Sequence, residues 1–250
     1  ALLMLFLGAA LEVWQSTRNR TAEWVDLYAD AAGIVCFTAV FACFDPRIPS
    51  PRQGWLSQRR LAFVSVAWFL LGLLPLLQTL QLYQGRWAIL PSLIDWREPW
   101  LEKFYYVQYA SLEVEDPPDD WPTLNPHPEK VAKIRLYPGR YPGFVFTEPH
   151  GNWSAYQLLE IDLMFPESVP ENLFLRIHDV HHTGDYSDRF NCECHVQTGF
   201  QTIRVPIASL VTPSGRELDL ENIDGLALFT FESQGEFEMY LGDIRLARPL

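Results

Sequence analysis

The run Leu61–Tyr83 (LAFVSVAWFLLGLLPLLQTLQLY) holds 23 residues without one Asp, Glu, Lys or Arg. At about 1.5 Å per residue, a helix of that length reaches roughly 35 Å, enough to cross the hydrocarbon core of a bilayer. The alternative is a buried helix of a soluble protein, against which stands the lack of any polar stripe for water. Pro75 would kink the helix, and a bilayer helix tolerates this where neighbouring groups cover the freed carbonyl. Tyr83 and Trp87 suit an interfacial belt.

Charge divides the chain at the same place. Residues 1–92 carry 7 Lys+Arg and 5 Asp+Glu, net +2, whereas residues 93–250 carry 12 and 26, net −14. The acidic part argues against nucleic acid as a partner, because phosphate binding needs clustered Lys and Arg. Aromatic residues at 14% exclude chain-wide disorder. A second span is expected at Trp24–Phe44, with Asp26 and Asp30 in its first two turns. Ala1–Trp14 is apolar except for Glu12 but too short to span, so it reads as the end of a helix that began upstream. Four Arg against one Asp in residues 45–60 put that loop in the cytoplasm and everything after about residue 84 outside.

Glu12, Gln15, Arg20, Asp26 and Asp30 bracket one short hairpin. Glu12 and Gln15 share a helix face at i, i+3, as do Asp26 and Asp30 at i, i+4, and Gly33 one turn on allows close helix approach. Ionisable groups at membrane depth are costly and pair inside a bundle, with Arg20 the evident partner for the carboxylates. Two readings stand: a buried polar clasp holding two helices, or a small pocket for a head group or lipid-linked glycan. The spacing of these five positions and Gly33 resembles the signature hairpin of VanZ-like membrane proteins over residues 1–83, with Asp30 where that family has Asn. The resemblance implies a bacterial cell envelope, a multi-pass protein of the inner (cytoplasmic) membrane with its C-terminal domain extracytoplasmic, and an association with glycopeptide antibiotic resistance.

Beyond a juxtamembrane tether at 84–100, residues 101–250 read as all-β. Strands are expected at 104–114, 132–136, 156–165, 172–180, 188–196, 201–207, 225–231 and 236–246. Leu173, Leu175 and Ile177 face one way, and Phe174, Arg176 and His178 the other. A parity change at Gly242-Asp243 suggests a bulge in the last strand. Many short strands without an amphipathic helix indicate a jelly-roll sandwich. The order Trp153-Ser154-x-Tyr156, Leu173–Asp179 (LFLRIHD), Asp188–Asn191 (DRFN), Gly199, Gly215-Arg216 and Met239–Leu246 (MYLGDIRL) resembles galactose-binding-like domains of the carbohydrate-binding-module type. That resemblance implies glycan binding and a structural calcium, for which Asp95, Glu98 and Asp243 are the positions offered, with ordinary edge acids as the alternative.

The stretch His178–Phe190 (HDVHHTGDYSDRF) is dense in His and carboxylate, yet it lacks a recognised metal-ligand spacing. Sugars are held by an aromatic face plus planar hydrogen-bonding groups. Trp153, Tyr156, His178, His181, Tyr186 and Arg189 supply both types. The alternative is a solvated loop in which Arg189 pairs with Asp179 or Asp188. No nucleophile-elbow or phosphate-loop motif is present. Cys192 and Cys194 are expected as thiols, because i, i+2 positions on a strand lie at the limit for a bridge. The chain thus reads as a membrane-anchored envelope protein with membrane lipid and a carbohydrate or lipid-linked glycan as partners. An enzyme acting through the Glu12/Arg20/Asp26/Asp30 cluster and a protein-interaction module are the alternatives.

Overall fold

The computed structural model describes residues 31–35, 37–38, 58–122 and 128–248. The polar hairpin of Glu12, Gln15, Arg20, Asp26 and Asp30 lies outside the described residues, as do Cys36 and Cys43. The chain divides into two compact units, Ala1–Tyr83 and Gln84–Leu250.

In the first unit, residues 31–35 and 37–38 are helical. Helix α1 runs over Gln58–Ala88, and its last turn belongs to the second unit. Two to three membrane helices are expected from the sequence. Among the described residues one helix is long and apolar enough to cross a membrane, with its apolar window at Val66–Ala88. Phe63, Val66, Phe69, Leu70, Leu76, Leu77 and Leu80 are all exposed along it. A helix with such side chains facing outward all round needs an apolar surrounding. Pro75 sits inside it, and the Thr79 hydroxyl donates to the Pro75 carbonyl at 3.0 Å. Gly72 meets Ala32, where an added Cβ would lie 3.7 Å from the alanine methyl, while Gly33 has no neighbour within 4 Å.

The second unit is a sandwich of two five-stranded antiparallel sheets. Its strands are β1 (Tyr105–Gln108), β2 (Ala110–Glu115), β3 (Val131–Leu136), β4 (Gly143–Thr147), β5 (Leu158–Phe165), β6 (Phe174–Asp179), β7 (Phe190–Glu193), β8 (Gly199–Pro206), β9 (Ile223–Phe229) and β10 (Phe237–Ala247). The first sheet has the order β1-β4-β9-β6-β7 and the second β2-β3-β10-β5-β8. Inward side chains alternate with outward ones, so Phe144, Phe146, Leu175, Ile177, Leu226 and Leu228 of the first sheet meet Ile134, Leu159, Ile161, Leu163 and Ile244 of the second in a fully buried core.

Two features differ from the sequence expectation. The single strand expected at 104–114 is two, because Tyr109 takes φ +45° and turns the chain from the first sheet to the second. The stretch expected as a tether is packed into the sandwich: Leu93, Ile94 and Trp96 are buried, and the Leu93 amide donates to the Ile244 carbonyl at 2.7 Å. At the end of α1, Arg86 is buried over the Phe104 ring at 3.9 Å. The register between β10 and β5 shifts between Leu241 and Ile244, at the Gly242-Asp243 position where the parity changes.

Candidate functional site

The outward positions of the first sheet form a continuous face. Register aligns Tyr106, Val145, Ala227, Arg176 and Asn191 across all five strands. Beside them run Gln108, Gly143, Phe229, Phe174 and Glu193 on one side, and Thr147, Gly225 and His178 on the other. The inner strands β4 and β9 contribute mostly small side chains, so the floor is low. Tyr106, half-exposed on β1, stands on one flank, with Arg176 and His178 on the other. Tyr141 closes one end, its ring 6.0 Å from Phe229 and 5.5 Å from Phe231.

Arg176 lies at the centre. Its guanidinium carbon is 4.4 Å from the centre of the Phe229 ring, and its Nε donates to Asn191 Oδ1 at 3.2 Å. The Asn191 amide nitrogen donates in turn to the carbonyls of Arg189 at 3.0 Å and Tyr186 at 3.3 Å. One asparagine thus ties the sheet to the rim segment Tyr186–Arg189. Burial lowers the Arg176 pKa, and the Arg189 charge adds to this, while Tyr141, Tyr186 and Tyr106 are close enough to act in the opposite sense. At the rim Tyr186 is exposed, and Arg189 donates to the carbonyls of Asp185 at 3.1 Å and Gly184 at 2.7 Å.

His178 carries its ring directly over Gly225, where an added Cβ would come within 2.2 Å of Cε1. The His182 ring is 4.3 Å away, and Asp224 Oδ2 lies 3.8 Å from His178 Nε2. Burial pushes the His178 pKa down to about 4, helped by the charges of His182, Arg189 and Arg176 and opposed by Asp224. Its Nδ1 is buried without a hydrogen-bond partner.

Below this face, Arg216 takes both ion pairs that the solvated-loop alternative offered to Arg189. Its Nη1 reaches the fully buried Asp179 at 2.5 Å, and its Nε reaches Asp188 at 2.8 Å. Burial opposes the Asp179 charge, but Arg216 and the Asp219 amide outweigh it and hold the carboxyl below its ordinary range. Arg189 is left with backbone carbonyls alone.

Of the six residues expected to hold a sugar, the structure brings together His178, Tyr186 and Arg189. Trp153 is fully buried, its indole N–H donating to the His150 carbonyl at 2.5 Å, so its ring is core and offers no face. Tyr156 precedes β5 of the second sheet, 5.4 Å from the Arg248 guanidinium. His181 is exposed, with Nε2 3.3 Å from Asp219. The sequence reading passed over Tyr106, Tyr141 and Asn191 as site residues. Arg176 was visible through its alternation with Leu175 and Ile177, which turns it outward beside His178.

The calcium positions do not converge. Asp95 and Asp243 line a cleft of about 600 Å³ with Ser92, Asp162 and Arg245, and Glu98 does not. Asp95 accepts from Arg97 Nε at 2.9 Å and Nη2 at 2.6 Å. Asp243 accepts from the Ser92 hydroxyl and lies 3.6 Å from Arg245, which also pairs with Glu160 at 2.9 Å and with the buried Asp162. Burial raises the Asp243 pKa. Among the described residues no three His, Cys, Asp or Glu side chains stand where they could share one ion. The carboxylates already have guanidinium partners, so this donor set does not fit calcium. Cys192 and Cys194 are free thiols, and burial pushes the Cys194 pKa up to about 12, which leaves it unreactive.

No protein-family model and no curated protein sequence matches the chain. Solved structures do resemble it. The family 11 carbohydrate-binding module from Clostridium thermocellum, in complex with a β-1,3-1,4-mixed-linked tetrasaccharide, is 16% identical over 64% of this chain and 95% of that one, with a TM-score of 0.46. The family 29 module from Piromyces equi is 10% identical over 57% and 77%, with a TM-score of 0.36. An exo-β-agarase is 15% identical over 64% of this chain, with a TM-score of 0.51, and the match spans 25% of that enzyme. The agarase likeness shows that the second unit shares its fold with a β-sandwich portion of that enzyme.

Proposed function

We propose that the sandwich is a carbohydrate-binding module and that the outer face of its first sheet is the binding surface. One observation carries this reading: a low floor of Val145, Thr147, Gly225 and Ala227 is flanked by Tyr106, Arg176 and His178, with Tyr141 and Tyr186 at its margins. Aromatic rings cover the apolar faces of a pyranose, and planar amide and guanidinium groups bridge its hydroxyls. The exo-β-agarase that shares the fold is named for action on a polysaccharide, which is consistent with this reading. Chemistry is assigned to no residue of the face.

The membrane part of the reading is anchorage through α1 in the inner membrane of a bacterium, with the Arg-rich segment 45–60 cytoplasmic and the sandwich outside. The hairpin of Glu12, Gln15, Arg20, Asp26 and Asp30 would bind a lipid-linked ligand of the envelope in the manner of VanZ-like, glycopeptide-resistance-associated proteins. That part rests on the apolar helix and on the spacing of the polar residues.

The test is a glycan array probed with the full chain in detergent micelles, together with Tyr106→Ala and Arg176→Ala. Selective glycan binding that both substitutions reduce by about tenfold or more supports the assignment. A folded chain that retains no glycan sinks it.

A further inference from the structure

The acidic balance of residues 93–250 makes the free bases informative. With 26 acids for 12 bases, a Lys or Arg without a carboxylate partner has been held away from an abundant neighbour. Arg97, Lys130, Lys133, Arg135, Arg204, Arg216 and Arg245 each reach a carboxylate. Among the described residues Arg176 and Arg189 do not, nor do Lys103, Arg140 and Arg248; Arg176 and Arg189 both belong to the proposed binding face and lie close enough for the Arg189 charge to act on Arg176. Arg189 is satisfied on one side by the carbonyls of Asp185 and Gly184. Arg176 spends its Nε on the neutral Asn191 and its flat face on Phe229, so both terminal nitrogens are free of protein acceptors among the described residues. Asp179 and Asp188 are both taken by Arg216. Arg140, also without a carboxylate, lies 5.4 Å from the Tyr141 ring at the end of the same face.

Two guanidinium side chains on one face, linked through Asn191 to the Arg189 backbone and half-buried or braced by carbonyls, cost repulsion and desolvation unless a ligand repays it. A neutral sugar needs only one such donor. A planar carboxylate or a sulfate ester on the sugar matches the fork geometry of Arg and gains charge-assisted hydrogen bonds in a partly dehydrated setting. We propose that the face selects an anionic polysaccharide, with the acid group of a pyranose seated on Arg176 and Arg189 and the ring against the tyrosines. This deepens the carbohydrate-binding assignment and rests on it.

The experiment measures affinity of the full chain in detergent micelles for matched polymers: polygalacturonate against its methyl ester, and a sulfated galactan against its desulfated form. The first pair asks about carboxylate and the second about sulfate. The expected result is about tenfold or more tighter binding to one acidic polymer than to its neutral partner, a gap that narrows as salt rises. Arg176→Gln and Arg189→Gln should each weaken binding to the acidic polymer more than binding to its neutral partner, so that the gap closes, and Arg176→Lys should retain part of it. The thermal midpoint of each variant is followed in parallel, and Arg189→Gln, on the rim, serves where Arg176→Gln is unfolded. Equal binding of charged and neutral polymers overturns anion selection and leaves carbohydrate binding standing. Binding to none of the four, nor to any glycan on the array, overturns both.

Discussion

His178 shows how single residues tune the proposed face. Burial and three neighbouring cationic groups hold its imidazole neutral until about pH 4, against an ordinary value of 6.5. Between these values the unfolded chain binds a proton that the folded chain refuses. Stability is therefore full above about pH 6.5, declines as pH falls towards about 4, and levels below that. In His178→Asn this component of the acid slope should vanish, as read from urea midpoints at pH 7, 5.5 and 4.5; an unchanged slope would remove His178 from the account. At pH 7 the imidazole is uncharged, so positive charge on the face comes from Arg176 and Arg189. Legibility at this scale was partial. Alternation exposed Phe174, Arg176 and His178 as outward residues, because period two is a local property. Nothing local to Trp153 separates a sugar-holding aromatic from a core one, and only tertiary packing decides that its ring is core. Tyr106 joins the face through β1 pairing with β4, and Tyr141 through ring contacts with Phe229 and Phe231, neither of which a local pattern reports.

Strands β5 and β10 show the same logic at the level of elements. They pair through Arg245↔Glu160 and Ile244↔Ile161, and the bulge in β10 turns Asp243 into the cleft. Arg245 then faces Glu160, Asp162 and Asp243 together. It supplies the positive charge that a calcium ion would otherwise bring to such a group. Arg245→Gln should cost about 3 kcal/mol or more, since it strands a buried Asp162 without its partner. Denaturant midpoints measure this. Calcium and chelator should both leave the unsubstituted chain unaffected, since among the described residues no three such side chains could share an ion. A chelator-sensitive unsubstituted chain would refute the guanidinium account. Most strands were legible here, because hydrophobic alternation runs through them, and so was the bulge, because it flips parity. β4 was passed over: Pro142 before it and Glu148-Pro149 after it leave only Gly143–Thr147, too short for alternation to stand out. The break at Tyr109 was also hidden, because Tyr rarely takes a positive φ and signals no turn.

At the scale of the whole chain, charge and hydropathy separate two environments. The described part of the first unit exposes apolar side chains along α1, whereas the second unit buries a core between two sheets and carries the acidic excess. Water would penalise the exposed helix by about 25 cal/mol for each Å² of apolar surface it wets, and several large side chains line it. An apolar solvent removes that penalty and leaves the sandwich in water. The change in charge and hydropathy along the chain was legible because it rests on composition, which needs no knowledge of contacts. The packing of residues 93–101 onto the sandwich was not, since Leu93 and Trp96 find their partners in distant strands. The expectation for the intact protein follows directly. Expressed in a bacterial host, the full chain should stay in the membrane pellet after alkaline carbonate and after high salt, because apolar burial is insensitive to both. Replacing Leu70, Leu74 and Leu77 by Asp should release it into the soluble fraction, since each charge near the centre of a span costs about 2.5–3.5 kcal/mol. Release of the unsubstituted chain by salt alone would show attachment through surface charge instead of α1, and would end the anchoring assignment while leaving the sandwich and its face untouched.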